Sequence, residues 1–187
     1  VSGLSYEVPP LSRLNIRGMT RKLRQIACEL EGRITDRPFF DIVHFLDVTL
    51  AKYSNDYMLE FLTVNEMQSL HGDAHAMAFP ADQLIQVRED IWKRAEAGHG
   101  RDRLTLAHEL GHLFLHGKPG YARKMADSSV KPYRQSEWQS DAFGGELLVA
   151  AHFIQQCKSV RDVARLFGVS DTAAAAQWRA FQKDGLV

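Results

Sequence analysis

Cysteine is scarce in this sequence: two residues in 187, Cys28 and Cys157, far apart and in no C-x-x-C pattern. That excludes a disulfide framework and a cysteine-type zinc site, and it points to a reducing cytoplasm. Net charge is missing too, since 23 basic residues balance 23 acidic ones. No overall field therefore draws the molecule to nucleic acid or to a membrane. No apolar run approaches transmembrane length, and the N-terminus lacks the apolar centre of a signal peptide. Repeats and low-complexity tracts are absent apart from Ala173 to Ala176, a run of strong helix former. What remains is an ordinary globular composition, long enough for one domain with a small appendage and for a core without staples.

The chain opens with an extended arm containing Pro9-Pro10. The spacing Ile16, Met19, Leu23, Ile26, Ala27, Leu30 predicts an amphipathic helix ending near Gly32, with Arg17, Arg21, Lys22 and Arg24 on a solvated basic face. Phe39 to Leu50 fits helix or strand, and Pro38 at a first turn favours helix. Three strands are expected at Tyr57 to Val64, Ala74 to Phe79 and Gln83 to Val87, the last two joined by a turn at Pro80-Ala81-Asp82. They read as a small antiparallel sheet, one edge of which can take an extended peptide by main-chain pairing. A short helix over Glu89 to Ala97 leads to a longer one with Asp102 as candidate N-cap, closed by Gly117 and Pro119. Lys118 to Gln135 form a long loop, a candidate functional or mobile segment. Ser136-Glu137-Trp138-Gln139 has the form of a capping box and opens a helix expected to reach about Cys157. Two helices around Gly168-Val169-Ser170 complete the chain.

Chemistry concentrates in Arg103 to His116, which contains His108-Glu109-x-x-His112. On a helix, side chains four apart share a face, so both imidazoles can meet one zinc ion. Glu109 lies beside that ion, where its carboxylate can take a proton from the attacking water. Geometry argues against His116 as a third ligand, because eight residues of helix rise about 12 Å, zinc bonds span about 2 Å, and the helix would have to break early and turn back. It reads instead as a last-turn residue whose partly protonated ring suits the helix C-terminus. Glu137 and Asp141, four apart on the following helix, supply a better answer. Glu137 completes a His-His-Glu set around one zinc ion per chain, and Asp141 accepts the other ring N–H of a zinc histidine. A charge favoured by the helix N-terminus is the alternative reading of Glu137. Gly111, Gly144 and Gly145 are small enough to let the two helices approach closely.

These residues resemble the ImmA/IrrE family of metallopeptidases. The likeness rests on Arg103-x-Thr105-x-Ala107-His108-Glu109-x-Gly111-His112-x-x-x-His116, on Glu137 to Leu148, and on Val160-x-x-Val163-Ala164-x-x-Phe167-Gly168-Val169-Ser170, which is similar to the family's helix-turn-helix-like tail. The family's Leu-Leu-Met-Pro is Leu147-Leu148-Val149-Ala150 here, a departure away from the proposed ligands. The resemblance implies zinc held by His108, His112 and Glu137, with Glu109 as the base. The fold class read from all this is α+β, a mostly helical, gluzincin-like zinc-peptidase domain over residues 1–157, with a helix-turn-helix-like extension at 158–187 packed on it. The expected activity is endopeptidase cleavage, with Tyr121, Tyr133 and Arg134 of the long loop as candidate oxyanion stabilisers. The resemblance also implies the substrate, a DNA-binding repressor of the XRE type. The alternative is a toxin held in a stable complex by an XRE-type antitoxin. Direct sequence-specific DNA binding by the tail is disfavoured, because four alanines on its second helix read bases poorly. Nothing suggests a membrane partner.

Overall fold

A computed structural model of the chain describes residues 5–117 and 125–187. Helix α1, Arg13–Leu30, starts at Ser12, whose hydroxyl accepts from Asn15 N, and it buries Ile16, Thr20, Arg24 and Ala27 at helical spacing. Its basic face is not simply solvated. Arg24 is fully buried, with Nε on Asp36 at 2.7 Å and Nη1 on the Leu147 carbonyl at 2.6 Å, while Arg17 bonds the buried Glu146 at 2.8 Å. Opposite charges presented by distant elements turn these cations inward, and spacing along the helix cannot show that. Helical structure resumes in α2, Ile42–His44, passes through π-turns over Phe45–Leu50 and ends in α3, Ala51–Tyr53.

Strand β1 is Met58–Leu62, and helix α4, Val64–His71, follows at once. The strand expected through Val64 stops early because Thr63 and Glu66 form a capping box. Glu66 accepts from Thr63 N at 2.8 Å and Thr63 from Glu66 N. Strands β2, Ala76–Phe79, and β3, Leu84–Arg88, make the expected antiparallel hairpin. The sheet as a whole is mixed rather than antiparallel, with order β1-β3-β2 and β1 parallel to β3 from Met58↔Leu84 to Leu62↔Arg88. Parallel neighbours need a crossover, and α4 with β2 provides it.

Helix α5, Glu89–Glu96, leads into α6, Gly100–His116. The N-cap of α6 is His99, and Asp102 sits in the first turn, bonded by Arg94 Nε at 2.9 Å, so Asp102 is not the cap. Helix α7, Ser136–Leu148, packs along α6 at close range. A Cβ at Gly111 would stand 3.1 Å from Ser140 Cα, and one at Gly144 3.2 Å from His108 N. The expected capping box is not formed: Ser136 Oγ accepts from Tyr6 N at 2.9 Å, and the Gln139 side chain points elsewhere. Helix α7 also stops at Leu148, short of Cys157, and 3₁₀ turns over Ala151–Gln156 follow. The chain closes with α8, Val160–Phe167, a left-handed Gly168, and α9, Asp171–Lys183. One hydrophobic core runs from Ile16 of α1 through Leu106 and Leu110 of α6 and Leu147 of α7 to Phe167 and Phe181.

Candidate metal centre

The close approach of α6 and α7 sets two pairs of side chains against each other. His108 and His112 stand one turn apart on α6, and Glu137 and Asp141 one turn apart on α7. Glu137 Oε1 lies 3.2 Å from His112 Nε2, Glu137 Oε2 lies 3.4 Å from His108 Nε2, and the two imidazole nitrogens are 3.0 Å apart. One ligand atom from each of His108, His112 and Glu137 falls within 4.8 Å of the others. His116 is outside this group, as its place on the helix predicts.

The donor chemistry fits a cation. His108 Nδ1 is 2.8 Å from Asp141 Oδ1, so its ring hydrogen is engaged there and Nε2 is left with a lone pair. That lone pair meets the Glu137 carboxylate and the second imidazole, and a bound ion relieves such a convergence of acceptors. Without an ion, a proton takes that place. Burial opposes charge on His108, but hydrogen bonds to Asp141 and Glu137 outweigh it and hold its pKa up to about 10. Glu137 moves the opposite way: burial would raise it, yet the two histidines take it well below the usual carboxylate range.

Glu109 sits beside this group against the sheet, with Oε2 accepting from the backbone N–H of Ala78 on β2 at 2.8 Å. Burial pushes its pKa up, and the two histidines and the Ala78 N–H pull against that. No side-chain pattern announces a backbone donor, so this contact was invisible in the sequence. It also identifies β2, an outer strand of the sheet, as the edge that lies along the site.

Behind the ligands, His112 Nδ1 meets His116 Nδ1 at 3.2 Å, and His116 Nε2 meets Gln139 Oε1 at 3.2 Å. Burial and the neighbouring His112 push His116 down to about 4, so its ring is neutral at pH 7 and not the partly protonated helix-end group expected. Two of the candidate oxyanion groups are not brought to the cluster. Arg134 bonds Glu7 at 2.9 Å, and Tyr133 lines a groove with Pro10, Asn15, Trp138 and Lys183 that holds none of the ligands. The extended arm, passing beside this segment, draws both away. Tyr121 lies outside the described residues.

A family model described as the IrrE N-terminal-like domain, peptidase M78, matches residues 62–179. The chain belongs to this peptidase family. The resemblance read from the motif residues is thereby confirmed over well over half the chain, from the end of β1 into α9. The His-His-Glu group and Glu109 both fall inside the match, which makes the chain peptidase-like in type. Comparison with curated proteins and with solved structures gives no match.

Proposed function

We propose that the chain is a zinc-dependent endopeptidase, with His108, His112 and Glu137 as ligands, Glu109 as general base and Asp141 as the group that orients His108. The observation that carries this reading is the convergence of the three ligand atoms beside a buried carboxylate in a peptidase family. When bound, zinc supplies a Lewis acid that polarises a carbonyl and makes water nucleophilic at neutral pH. Glu109 takes the proton of the attacking water and delivers it to the leaving amine, a transfer suited to a carboxylate whose pKa is raised by burial. The Ala78 N–H keeps that carboxylate turned to the site. Apart from the Ala78 N–H, which Glu109 takes, the outer main-chain groups of β2 would pair with an extended peptide and bring its scissile bond along α6.

The family resemblance supplies the substrate class, a DNA-binding repressor of the XRE type. Two unbridged cysteines agree with a reducing compartment, which we take to be the cytoplasm. Among the described residues no helix is long and apolar enough to cross a membrane. Residues 158–187 read as an extension serving the catalytic unit. The test incubates the zinc-loaded chain with a candidate repressor. Wild type is expected to give a discrete cut product. Glu109→Gln should lose at least about 100-fold of the cutting rate, the low end for a general base, while keeping its zinc. His112→Ala and Glu137→Ala should lose both. An intact, tight complex with no cut product favours the toxin–antitoxin alternative, and equal zinc in all variants overturns the ligand set.

A further inference from the structure

Behind the metal-facing side of His112 runs a file of side chains that ends on two backbone carbonyls. His112 Nδ1 meets His116 Nδ1, and His116 Nε2 meets Gln139 Oε1, both at 3.2 Å. Gln139 Nε2 in turn donates to the Pro9 carbonyl at 2.8 Å and to the Tyr133 carbonyl at 2.9 Å. Gln139 is 2% exposed, so water has little access to replace any of these partners. The polarity of the file can be read from its far end. A carboxamide nitrogen has two hydrogens, and here both are taken by oxygens that can only accept. Reversing the amide would set its oxygen against two carbonyls, so the orientation is fixed. The amide oxygen is then an acceptor, and His116 must carry its hydrogen on Nε2. Its other nitrogen, Nδ1, faces His112 Nδ1 at 3.2 Å with room for one hydrogen between the rings, and that hydrogen is His112's when Nε2 of His112 faces the metal position beside Glu137. His112 therefore keeps its hydrogen on Nδ1 and turns the lone pair of Nε2 toward Glu137 and His108.

We propose that Gln139, acting through His116, is a positioning residue that fixes which nitrogen of His112 faces the metal. The inference rests on the reading of His108, His112 and Glu137 as a metal site. The two histidines are thus set by different means: His108 by the carboxylate of Asp141, and His112 by a hydrogen-bonded relay anchored on the N-terminal arm.

The experiment uses the full chain as wild type, Gln139→Leu, His116→Phe and the double variant. Zinc affinity is measured by competition with a chelator, and ring N–H signals are recorded by proton NMR of the cobalt(II)-loaded protein. Each single variant is expected to bind zinc about 10- to 100-fold more weakly. The double variant should be no weaker than His116→Phe, because residues acting in series are not additive. The slowly exchanging N–H of His112 should vanish while that of His108 persists. His116→Asn, which keeps an acceptor where Nδ1 stood, should recover most of the affinity and guards against misfolding of the Phe variant. Additive losses, unchanged affinity in His116→Phe, or a His116→Asn protein that binds as weakly as His116→Phe overturn the relay. A wild type that takes up neither zinc nor cobalt overturns the metal reading itself, and the relay with it.

Discussion

His108 has a hydrogen bond to a carboxylate on each side, and that arrangement makes protons competitors of the metal. Its pKa is raised from 6.5 to about 10 by Asp141 and Glu137 against the opposing effect of burial. In the metal-free protein the protonated ring is therefore stabilising below pH 6.5, and this stabilisation is lost as pH rises through about 10. Metal binding must displace that proton. The apparent affinity for zinc is expected to rise by up to about tenfold per pH unit above neutrality, with release of one proton per ion. Titration calorimetry in buffers of different ionisation enthalpy would show this, and a pH-independent affinity would contradict it. Much of the site was legible at this scale, because His108, Glu109 and His112 share one turn and Glu137 with Asp141 share another. Gln139 was legible only as a false capping residue. Its true partners, Pro9, Tyr133 and His116, lie on three other segments and no spacing rule connects them.

Strand β2 carries a second coupling, between the sheet edge and the base. Ala78 gives its N–H to Glu109 rather than to β3, so a main-chain donor favours the charged form of the carboxylate. Ala78→Pro removes that donor at an edge position, where proline is tolerated. The Glu109 pKa should then move further up, carrying the acid limb of the peptidase pH–rate profile to higher pH while the circular dichroism stays native. An unshifted limb would mean that the Ala78 bond does not act on the base. The helices and the β2–β3 hairpin followed from apolar period and turn residues. The parallel placement of β1 did not, because strand direction depends on the crossover through α4, whose capping box at Thr63 and Glu66 was the available clue.

Two buried arginines tie the molecule together. Arg24 joins α1 to the end of α7, and Arg103 joins α6 to the α8–α9 turn. The Arg103 guanidinium donates to the carbonyls of Phe167 at 3.1 Å, Gly168, and Phe40 at 2.7 Å, and it lies 3.9 Å over the Phe39 ring. Burial without a carboxylate partner at hydrogen-bond distance lowers its pKa to about 10. Arg103→Ala leaves these carbonyls without donors, at about 1–3 kcal/mol for each one that stays buried. Faster amide hydrogen exchange across 160–183, with α6 still protected, is the expected result, and uniform exchange across the chain would place the staple elsewhere. In the sequence Arg103 stood only at the head of the motif stretch, and spacing could not say what it held. The arm has a consequence of a different kind, in the order of folding. Pro9 and Gln139 are separated by 130 positions, and contacts that close so long a span form late. The arm therefore leaves the ribosome long before its partner helix exists and waits unpaired until α7 is made. Docking of the arm and completion of the metal cage should then be one late event, and added zinc should speed the final phase of refolding but not the first.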